Sequence, residues 1–197
     1  MRPRQQRLRP ARHVVLALGS NLGDRLAHLN DAVRALATTP GLRIDAVSKI
    51  VESPAWKLDG VDEEAPAYFN AVVVGSTTLE PEALLAATAA IELAGGRVRG
   101  EGEERWGDRT LDIDLIAVGG VVRDDPQLTL PHPRAAERAF VLEPWLDVEP
   151  AGVLPGAGPI AVLRRRASDR VGDRPETIAW RHADSPPDRP DTESSLP

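Results

Sequence analysis

The residues with the clearest chemistry in this sequence are two aspartates in a short apolar segment. Residues 111–118, LDIDLIAV, are apolar apart from Asp112 and Asp114, a pattern typical of a buried strand. Because strand side chains alternate between faces, both carboxylates project from one face, which Ile116 and Val118 continue. Neighbouring carboxylates on an apolar face repel each other, so one takes a proton or a cation lies between them. Mg²⁺, usually held by one or two carboxylates plus substrate phosphates, suits this pair.

An arginine-rich loop interrupted by glycines comes directly before this strand. Its guanidinium groups have the planar geometry that matches phosphate oxygens, and its glycines would let it open and close over a ligand. A solvated strand end beside a charged loop is the alternative that either feature alone would favour. Together, the two features predict a metal-assisted phosphate-transfer site. The residues of the loop concerned are Arg97, Arg99, Arg105, Trp106 and Arg109.

Composition limits the classes of protein to consider. A chain of 197 residues with 42% hydrophobic residues predicts one domain with a substantial core. A net charge of -6 argues against general nucleic-acid binding, and the lack of cysteine excludes disulfides and thiolate chemistry. No apolar run is long enough to span a membrane, and the N-terminus lacks an apolar signal core. The only lysines, Lys49 and Lys57, are not in a G-K-[ST] context, so a Walker P-loop is excluded. We therefore expect a cytoplasmic enzyme or binding module.

Hydrophobic periodicity predicts the order strand, helix, strand, strand, helix, strand. This is the split βαβ pattern of an α+β, ferredoxin-like βαββαβ core, with an antiparallel sheet flanked by helices. A tight hairpin at Gly119–Gly120 and a C-terminal helix over 134–146 are appended. The six core elements are predicted at residues 13–18, 24–40, 43–51, 68–76, 81–94 and 111–118, and a polar loop at 57–67.

Domain boundaries follow from the two ends of the chain. Residues 1–12 contain five arginines without apolar periodicity and predict a disordered basic extension. Residues 13–165 form the predicted folded domain. Residues 166–197 become basic and then rich in Pro, Ser and Asp, which predicts a mostly disordered polar tail.

Three further residues have side chains suited to ligand binding. Tyr68 and Asn70 share a face at the start of a strand, where they could stack on and hydrogen-bond to a flat heterocycle. An aromatic and a polar residue at a strand end is the simpler alternative. His132 lies between two prolines, which restrict its backbone and could direct it at a ligand, unless it is an ordinary loop histidine.

Six segments form a recognisable series along residues 13–155. In chain order they are LALGSNLGDR, APAYFNAVV, IELAGGRVR, RWGDRTLDIDLI, LTLPHP and RAFVLEPW. This series resembles the 6-hydroxymethyl-7,8-dihydropterin pyrophosphokinases of the folate pathway, and RWGDRTLDIDL followed by LPHP is highly specific. The resemblance implies transfer of pyrophosphate from ATP to the pterin hydroxymethyl group, with release of AMP. We also expect small-molecule substrates, no nucleic-acid or membrane partner, and a monomer.

The same resemblance implies a role for each site residue. Asp112 and Asp114 would hold two Mg²⁺ ions against the triphosphate, and Arg97 and Arg109 would make the catalytic phosphate contacts. A departure is Pro133, where some relatives have a tyrosine that helps to hold the nucleotide. The loop between Arg99 and Arg105 is also slightly long. The remaining ATP contacts would be Glu92, His132 and Arg138, and the pterin contacts Ser53, Tyr68, Asn70, Trp106 and Phe140.

Two rival functions fit parts of the same pattern. Haloacid-dehalogenase-type phosphotransferases place D-x-D-x-[TV] on an early strand, whereas here Ile116 takes the last position and the pair lies in the middle of the chain. A ferredoxin-like regulatory module could bind a nucleotide without turnover. Such a module would require neither the paired acids nor the arginines of the loop.

Overall fold

The computed structural model describes residues 10–57, 60–62, 64–96 and 109–180. Among these residues, no helix has the length and apolar character needed to cross a membrane. The elements in chain order are β1 (Arg12–Ser20), α1 (Arg25–Ala37), β2 (Leu42–Val47), β3 (Val51–Ser53), β4 (Ala55–Lys57), β5 (Gly60–Asp62), β6 (Tyr68–Thr77), α2 (Pro81–Ala94), β7 (Asp112–Val118), β8 (Arg123–Asp124), β9 (Thr129–Leu130), a 3₁₀ turn (Ala135–Glu137), α3 (Ala139–Val148), β10 (Val153–Leu154), β11 (Gly158–Pro159), α4 (Ile160–Arg166) and β12 (Gly172–Asp173).

The central sheet has the ferredoxin-like order. Strand β6 pairs with β2 on one side and β1 on the other, and β1 pairs with β7, all antiparallel. This β2-β6-β1-β7 order, with α1 and α2 as the connecting helices, confirms the predicted βαββαβ core. The edge strand breaks after β2, and its continuation β3 pairs with the start of β6.

Helices cover both faces of this sheet and create two apolar cores. One face packs against α1 and α2, and the other packs against α3 and α4. Strand β1 contributes to both, since Leu16 and Leu18 point to the first core while Val15 and Ala17 point to the second. Double-sided burial explains why β1 is a continuous apolar run rather than an alternating one.

Three predicted helix ends are confirmed, whereas α1 ends at Ala37 with Thr38 as its C-cap and does not continue to residue 40. The Asp24 carboxylate accepts the backbone N–H of Ala27 at 3.0 Å and caps α1. Pro81 is the first residue of α2, where its missing N–H is not needed. This helix ends at Gly95, and Gly96 has a φ of 86°, which glycine adopts readily.

A bulge in β7 corrects one detail of the aspartate strand. Leu16 lies opposite Leu115, but the preceding residue of β1 lies opposite Ala117, so Ile116 is the additional residue. Beyond it the alternation is reversed, since Val118 packs in the core with α1 and α2 while Ile116 packs with α3 and α4. The prediction that Val118 shares the aspartate face is therefore wrong.

Three local predictions also need correction. The glycine pair Gly119–Gly120 does not fold β7 back on itself; β8 pairs with β9 instead, because Asp125 accepts the N–H groups of Gln127 and Leu128 and turns the chain there. The helix predicted from residue 134 is a short 3₁₀ turn followed by α3, separated by an extended Arg138. The predicted loop at 57–67 contains part of the β4–β5 hairpin.

Residues 167–180 pack on the domain, although the sequence assigned them to the tail. Strand β12 pairs with β3, and Arg174 forms ion pairs with Glu52 and Glu176. Further along, Ile178 is buried in the core that contains α1 and α2. The Asn30 side chain of α1 accepts the N–H of Ala179 at 2.7 Å. The folded part therefore extends to residue 180.

Candidate functional site

A cavity of about 280 Å³ lies on the sheet face that packs against α3. Its walls come from β1, β3, β6 and β7, from the segment 132–134, and from the start of α3. The residues that line it are Ala17, Leu18, Gly19, Ser53, Pro54, Tyr68, Asn70, Arg109, Asp112, Asp114, Ile116, His132, Pro133, Arg134, Arg138, Phe140 and Val141.

Small residues of β1 form the floor of this cavity. Gly19 lies opposite Asn70 of β6 on one side and Asp112 of β7 on the other, and Ala17 lies opposite Asp114. A Cβ at position 19 would lie 3.5 Å from the Asn70 Oδ1 and 3.7 Å from a Tyr68 ring carbon, in the space between them. Because Gly19 has no side chain, β1 leaves open space between Asn70 on β6 and Asp112 on β7.

The two aspartates form one end of the cavity, as predicted from their spacing. The Asp112 Oδ2 accepts a hydrogen bond from Arg109 Nη1 at 2.8 Å, with 24% and 18% of these side chains exposed. Asp114 lines the same cavity one pleat further. Within the described ranges, no group of three or more His, Cys, Asp or Glu could hold a metal ion by itself. A divalent cation here would need substrate oxygens as well, which fits Mg²⁺ bound to a nucleotide.

The glycine-bounded turn after β1 positions Arg109. Asn21, which is 2% exposed, accepts the backbone N–H of Arg109 at 2.7 Å through its side-chain Oδ1. The Arg109 carbonyl in return accepts the N–H groups of Asn21 and Leu22, at 3.1 and 3.3 Å. The Asn21 amide also donates to the Pro66 carbonyl at 3.2 Å. The turn thus holds the residue that meets Asp112.

The other end of the cavity is aromatic and amide-lined. Tyr68 and Asn70 share the cavity face of β6, as predicted, and Phe140 faces the cavity from α3. The buried Asn70 donates its amide to Ser53 Oγ at 3.0 Å and to the Tyr68 carbonyl at 3.3 Å, which orients the side chain. A flat ligand with hydrogen-bonding edges suits this combination.

His132 is held against β7 by its backbone. Its N–H donates to the Ile116 carbonyl at 2.9 Å, and its Nδ1 accepts the Arg134 N–H at 3.3 Å. An accepting Nδ1 means that the neutral ring carries its proton on Nε2. Burial lowers the pKa of His132, and the Arg138 and Arg134 charges lower it further against the opposing effect of Asp112. The ring is therefore a neutral donor at pH 7.

Arg138 lies near Phe140 of the aromatic end and interacts electrostatically with Asp114 of the aspartate end. Its guanidinium carbon is 5.2 Å from the centre of the Phe140 ring, within cation–π range. Burial lowers the pKa of Arg138, as does Arg134, whereas Asp169 and Asp114 raise it. An arginine remains charged at neutral pH in such surroundings. The cavity therefore holds a partly desolvated cation suited to an anionic ligand.

The structure does not bring every predicted site residue to the cavity. Glu92 is 3% exposed on α2 and is not part of the lining; its Oε1 accepts the backbone N–H of Ile113 at 2.8 Å, between the two aspartates. Arg97 and Trp106 lie outside the described residues, as do Arg99 and Arg105.

Sequence reasoning missed two residues at the site. Arg134 lines the cavity, and Asn21, which is not part of the lining, orients Arg109 through a hydrogen bond to its backbone N–H. An asparagine between a buried strand and a glycine turn could have indicated Asn21. The contact partner 88 residues away could not be inferred from the sequence.

Comparison with known proteins assigns this chain to a family. The family model described as 7,8-dihydro-6-hydroxymethylpterin-pyrophosphokinase matches residues 15–150. The chain is 44% identical over 141 residues to a 2-amino-4-hydroxy-6-hydroxymethyldihydropteridine pyrophosphokinase of Methylorubrum extorquens, covering 72% of this chain and 85% of that protein. It is 41% identical over 179 residues to the Mycobacterium tuberculosis protein of the same name, covering 85% and 89% of the two chains.

Solved structures share the fold. A Plasmodium falciparum HPPK-DHPS structure with STZ-DHP aligns with a TM-score of 0.61 at 13% identity, over 82% of this chain. This chain spans 46% of the length of that protein. Likeness at so low an identity supports the fold alone, and the family assignment follows from the sequence matches. On those matches, the chain belongs to the 7,8-dihydro-6-hydroxymethylpterin-pyrophosphokinase family.

Proposed function

We propose that this protein transfers the terminal pyrophosphate of ATP to the hydroxymethyl oxygen of 6-hydroxymethyl-7,8-dihydropterin, releasing AMP, in tetrahydrofolate biosynthesis. One observation carries the proposal: a single cavity holds a carboxylate pair at one end and an aromatic and amide surface at the other. The first end suits a metal-bound triphosphate, and the second suits a flat heterocycle. Family membership supports the same pair of substrates.

The pterin would occupy the aromatic end. Tyr68 and Phe140 would stack on the two faces of its ring, and Asn70 would hydrogen-bond to its edge, with Ser53 fixing the asparagine amide. Stacking on an aromatic pair contributes about 0.5–1.5 kcal/mol beyond area burial. Trp106 would complete this end from outside the described residues.

The triphosphate would occupy the acidic end. Asp112 and Asp114 would hold two Mg²⁺ ions, which neutralise charge on the phosphate oxygens when bound. Arg109, placed by Asn21, would contact the phosphates at the same end. Arg97 would contact them from the arginine-rich loop, while His132 and Arg138 would contribute a neutral donor and a cation to the nucleotide.

The reaction would be an in-line displacement at the β-phosphorus. The pterin hydroxyl oxygen forms a bond to the β-phosphorus, the bond from that phosphorus to the α,β-bridging oxygen breaks, and AMP leaves with the bridging oxygen. The hydroxyl proton passes to solvent. Among the described residues that line the cavity, no side chain is an evident strong base. Catalysis would therefore depend on positioning and electrostatic stabilisation.

Glu92 would serve ATP binding indirectly. Its buried carboxylate holds the backbone N–H of Ile113, the residue between Asp112 and Asp114. A fixed backbone at this position fixes the spacing of the two metal ligands. We propose this route for the predicted contribution of Glu92 to nucleotide binding.

We also propose that the protein acts as a monomer in the cytoplasm on small-molecule substrates alone. Family membership supports small-molecule substrates. Light scattering after gel filtration tests the oligomeric state, and activity that appears only above a dimerisation threshold would contradict the monomer.

The deciding experiment is incubation with Mg-ATP, with and without the reduced hydroxymethylpterin. AMP that forms only when the pterin is present supports the pyrophosphokinase. Release of ADP or phosphate without pterin would indicate a D-x-D phosphotransferase or hydrolase instead. ATP binding without any turnover would indicate a regulatory module.

A further inference from the structure

Helix α3 begins without a capping side chain of its own. Its N-cap residue is Arg138, whose side chain makes no cap hydrogen bond, and a guanidinium has no acceptor with which to make one. Ser, Thr, Asp and Asn are the residues that normally cap a helix. Arg138 lines the cavity instead. The first turn of α3, which carries Phe140, therefore depends on another part of the chain for its cap.

Asp169 supplies this cap from 30 residues further along the chain. Both of its carboxylate oxygens lie 2.8 Å from the backbone nitrogen of Ala139, the first residue of α3. A carboxylate at this position also interacts favourably with the positive end of the helix dipole. The Ala139 N–H lies between Arg138 and Phe140 in the chain, so the contact acts directly on the two residues that face the cavity.

Contacts on both sides hold Asp169 in place. Before it, the Ala167 N–H donates to the Leu163 carbonyl at the end of α4, at 3.0 Å. After it, β12 pairs with β3 through backbone hydrogen bonds that do not involve the Asp173 side chain. The carboxylate is therefore presented by an anchored segment and not by a loose tail.

We propose that Asp169 is a positioning residue for the reaction: through the N–H of Ala139 it fixes the direction in which Arg138 and Phe140 enter the cavity. The inference rests on the proposed function. No role for residue 169 follows from the sequence, which assigned it to the polar tail. The negative charge of Asp169 also acts on Arg138, since it raises the pKa of that guanidinium against burial.

The test uses the full chain and four variants: Asp169→Ala, Asp169→Asn, Phe140→Ala, and the double variant Asp169→Ala with Phe140→Ala. Asp173→Ala is the matched control, because it removes an aspartate from the same segment without touching α3. AMP formation gives kcat and the KM for the pterin and for ATP. Thermal unfolding reports any loss of fold.

We expect Asp169→Ala to lower kcat/KM for the pterin about fivefold, since losing a cap changes the free energy by about 1 kcal/mol and about 1.4 kcal/mol corresponds to tenfold. Asp169→Asn retains an acceptor oxygen and should keep most of the activity even if the alanine variant folds poorly. Asp173→Ala should match the wild type. In the Phe140→Ala background, Asp169→Ala should lower kcat/KM by a smaller factor, because the Phe140 ring that Asp169 positions is already absent.

Three results would overturn the inference. These are wild-type kcat and KM in Asp169→Ala, an equal loss in Asp173→Ala, or full additivity of Asp169→Ala and Phe140→Ala. A wild-type protein that forms no AMP would refute the proposed function. In that case, pterin binding by calorimetry decides about Asp169, since unchanged affinity in Asp169→Ala would overturn its role.

Discussion

Asn21 and Arg109, 88 residues apart, are joined by two hydrogen bonds, and a third joins Arg109 to the neighbouring Leu22. The Asn21 side chain accepts the Arg109 N–H, and the Arg109 carbonyl accepts both backbone N–H groups of the turn. The turn after β1 is thereby attached to the residue that enters β7. Since Arg109 Nη1 contacts Asp112 at 2.8 Å, the same attachment sets the acidic end of the cavity.

Asn21→Ala should reduce kcat by about tenfold or more, because losing a buried hydrogen bond costs about 1–3 kcal/mol and frees the Arg109 backbone. AMP formation at saturating substrates measures the loss. Asn21→Asp keeps a side-chain acceptor for the Arg109 N–H, so its kcat should lie between those of the wild type and Asn21→Ala. Asn30→Ala is the matched control, since it also removes an asparagine acceptor for a backbone N–H, that of Ala179, but on α1 and outside the cavity lining. If Asn30→Ala lowers kcat as much, the effect is general destabilisation.

Asp114→Ala should lower the rate on the order of a thousandfold, because a metal ligand contributes several kcal/mol to transition-state stabilisation. Single-turnover AMP formation at saturating Mg-ATP is the measurement. Asp45→Ala, which removes an aspartate paired with Arg43 outside the cavity lining, should have little effect. Near-normal turnover in Asp114→Ala would rule out a metal role for this carboxylate.

Phe140→Ala should weaken pterin binding about tenfold, because stacking is worth about 0.5–1.5 kcal/mol beyond the lost area. Titration calorimetry with the pterin in the presence of a non-hydrolysable ATP analogue reports the dissociation constant. Val122→Ala, at a 70% exposed apolar position, is the control. An unchanged pterin affinity in Phe140→Ala would contradict the stacking role.

The neutral state of His132 predicts a pH dependence of stability in the ligand-free protein. Burial holds the pKa of His132 below its ordinary value of about 6.5. Above that pH the ring is neutral in both the folded and the unfolded state and contributes no slope. As the pH falls below it, the unfolded chain binds a proton that the folded protein does not, so the free energy of unfolding decreases until the folded-state pKa is reached.

The free energy of unfolding should therefore decrease less steeply in His132→Gln than in the wild type as the pH is lowered below about 6.5. The difference in slope is at most about 1.4 kcal/mol per pH unit. Urea unfolding at a series of pH values, without ATP or Mg²⁺, measures the slope. His28→Gln is the comparison variant, because His28 lies on α1 away from the cavity. The same slope in wild type and His132→Gln would show that His132 titrates normally.

Local pattern was sufficient for the core elements and for much of the site. The alternation of β7 placed Asp112 and Asp114 on one face, and the same rule paired Tyr68 with Asn70, because side-chain direction in a strand depends only on chain parity. All four residues line the cavity. The caps at Asp24 and at Gly95–Gly96 were likewise predictable, since a cap is formed within a few residues of its helix.

The sequence by itself determined the acids, their common face, the ferredoxin-like order and, through its motifs, the family. Tertiary structure alone decided which distant groups support them: Asn21 under Arg109, Glu92 under Ile113, and Asp169 at the start of α3. The physical reason is that each of these contacts satisfies a backbone N–H with a side chain brought close only by folding. Their spacing along the chain has no period that a sequence pattern could reveal.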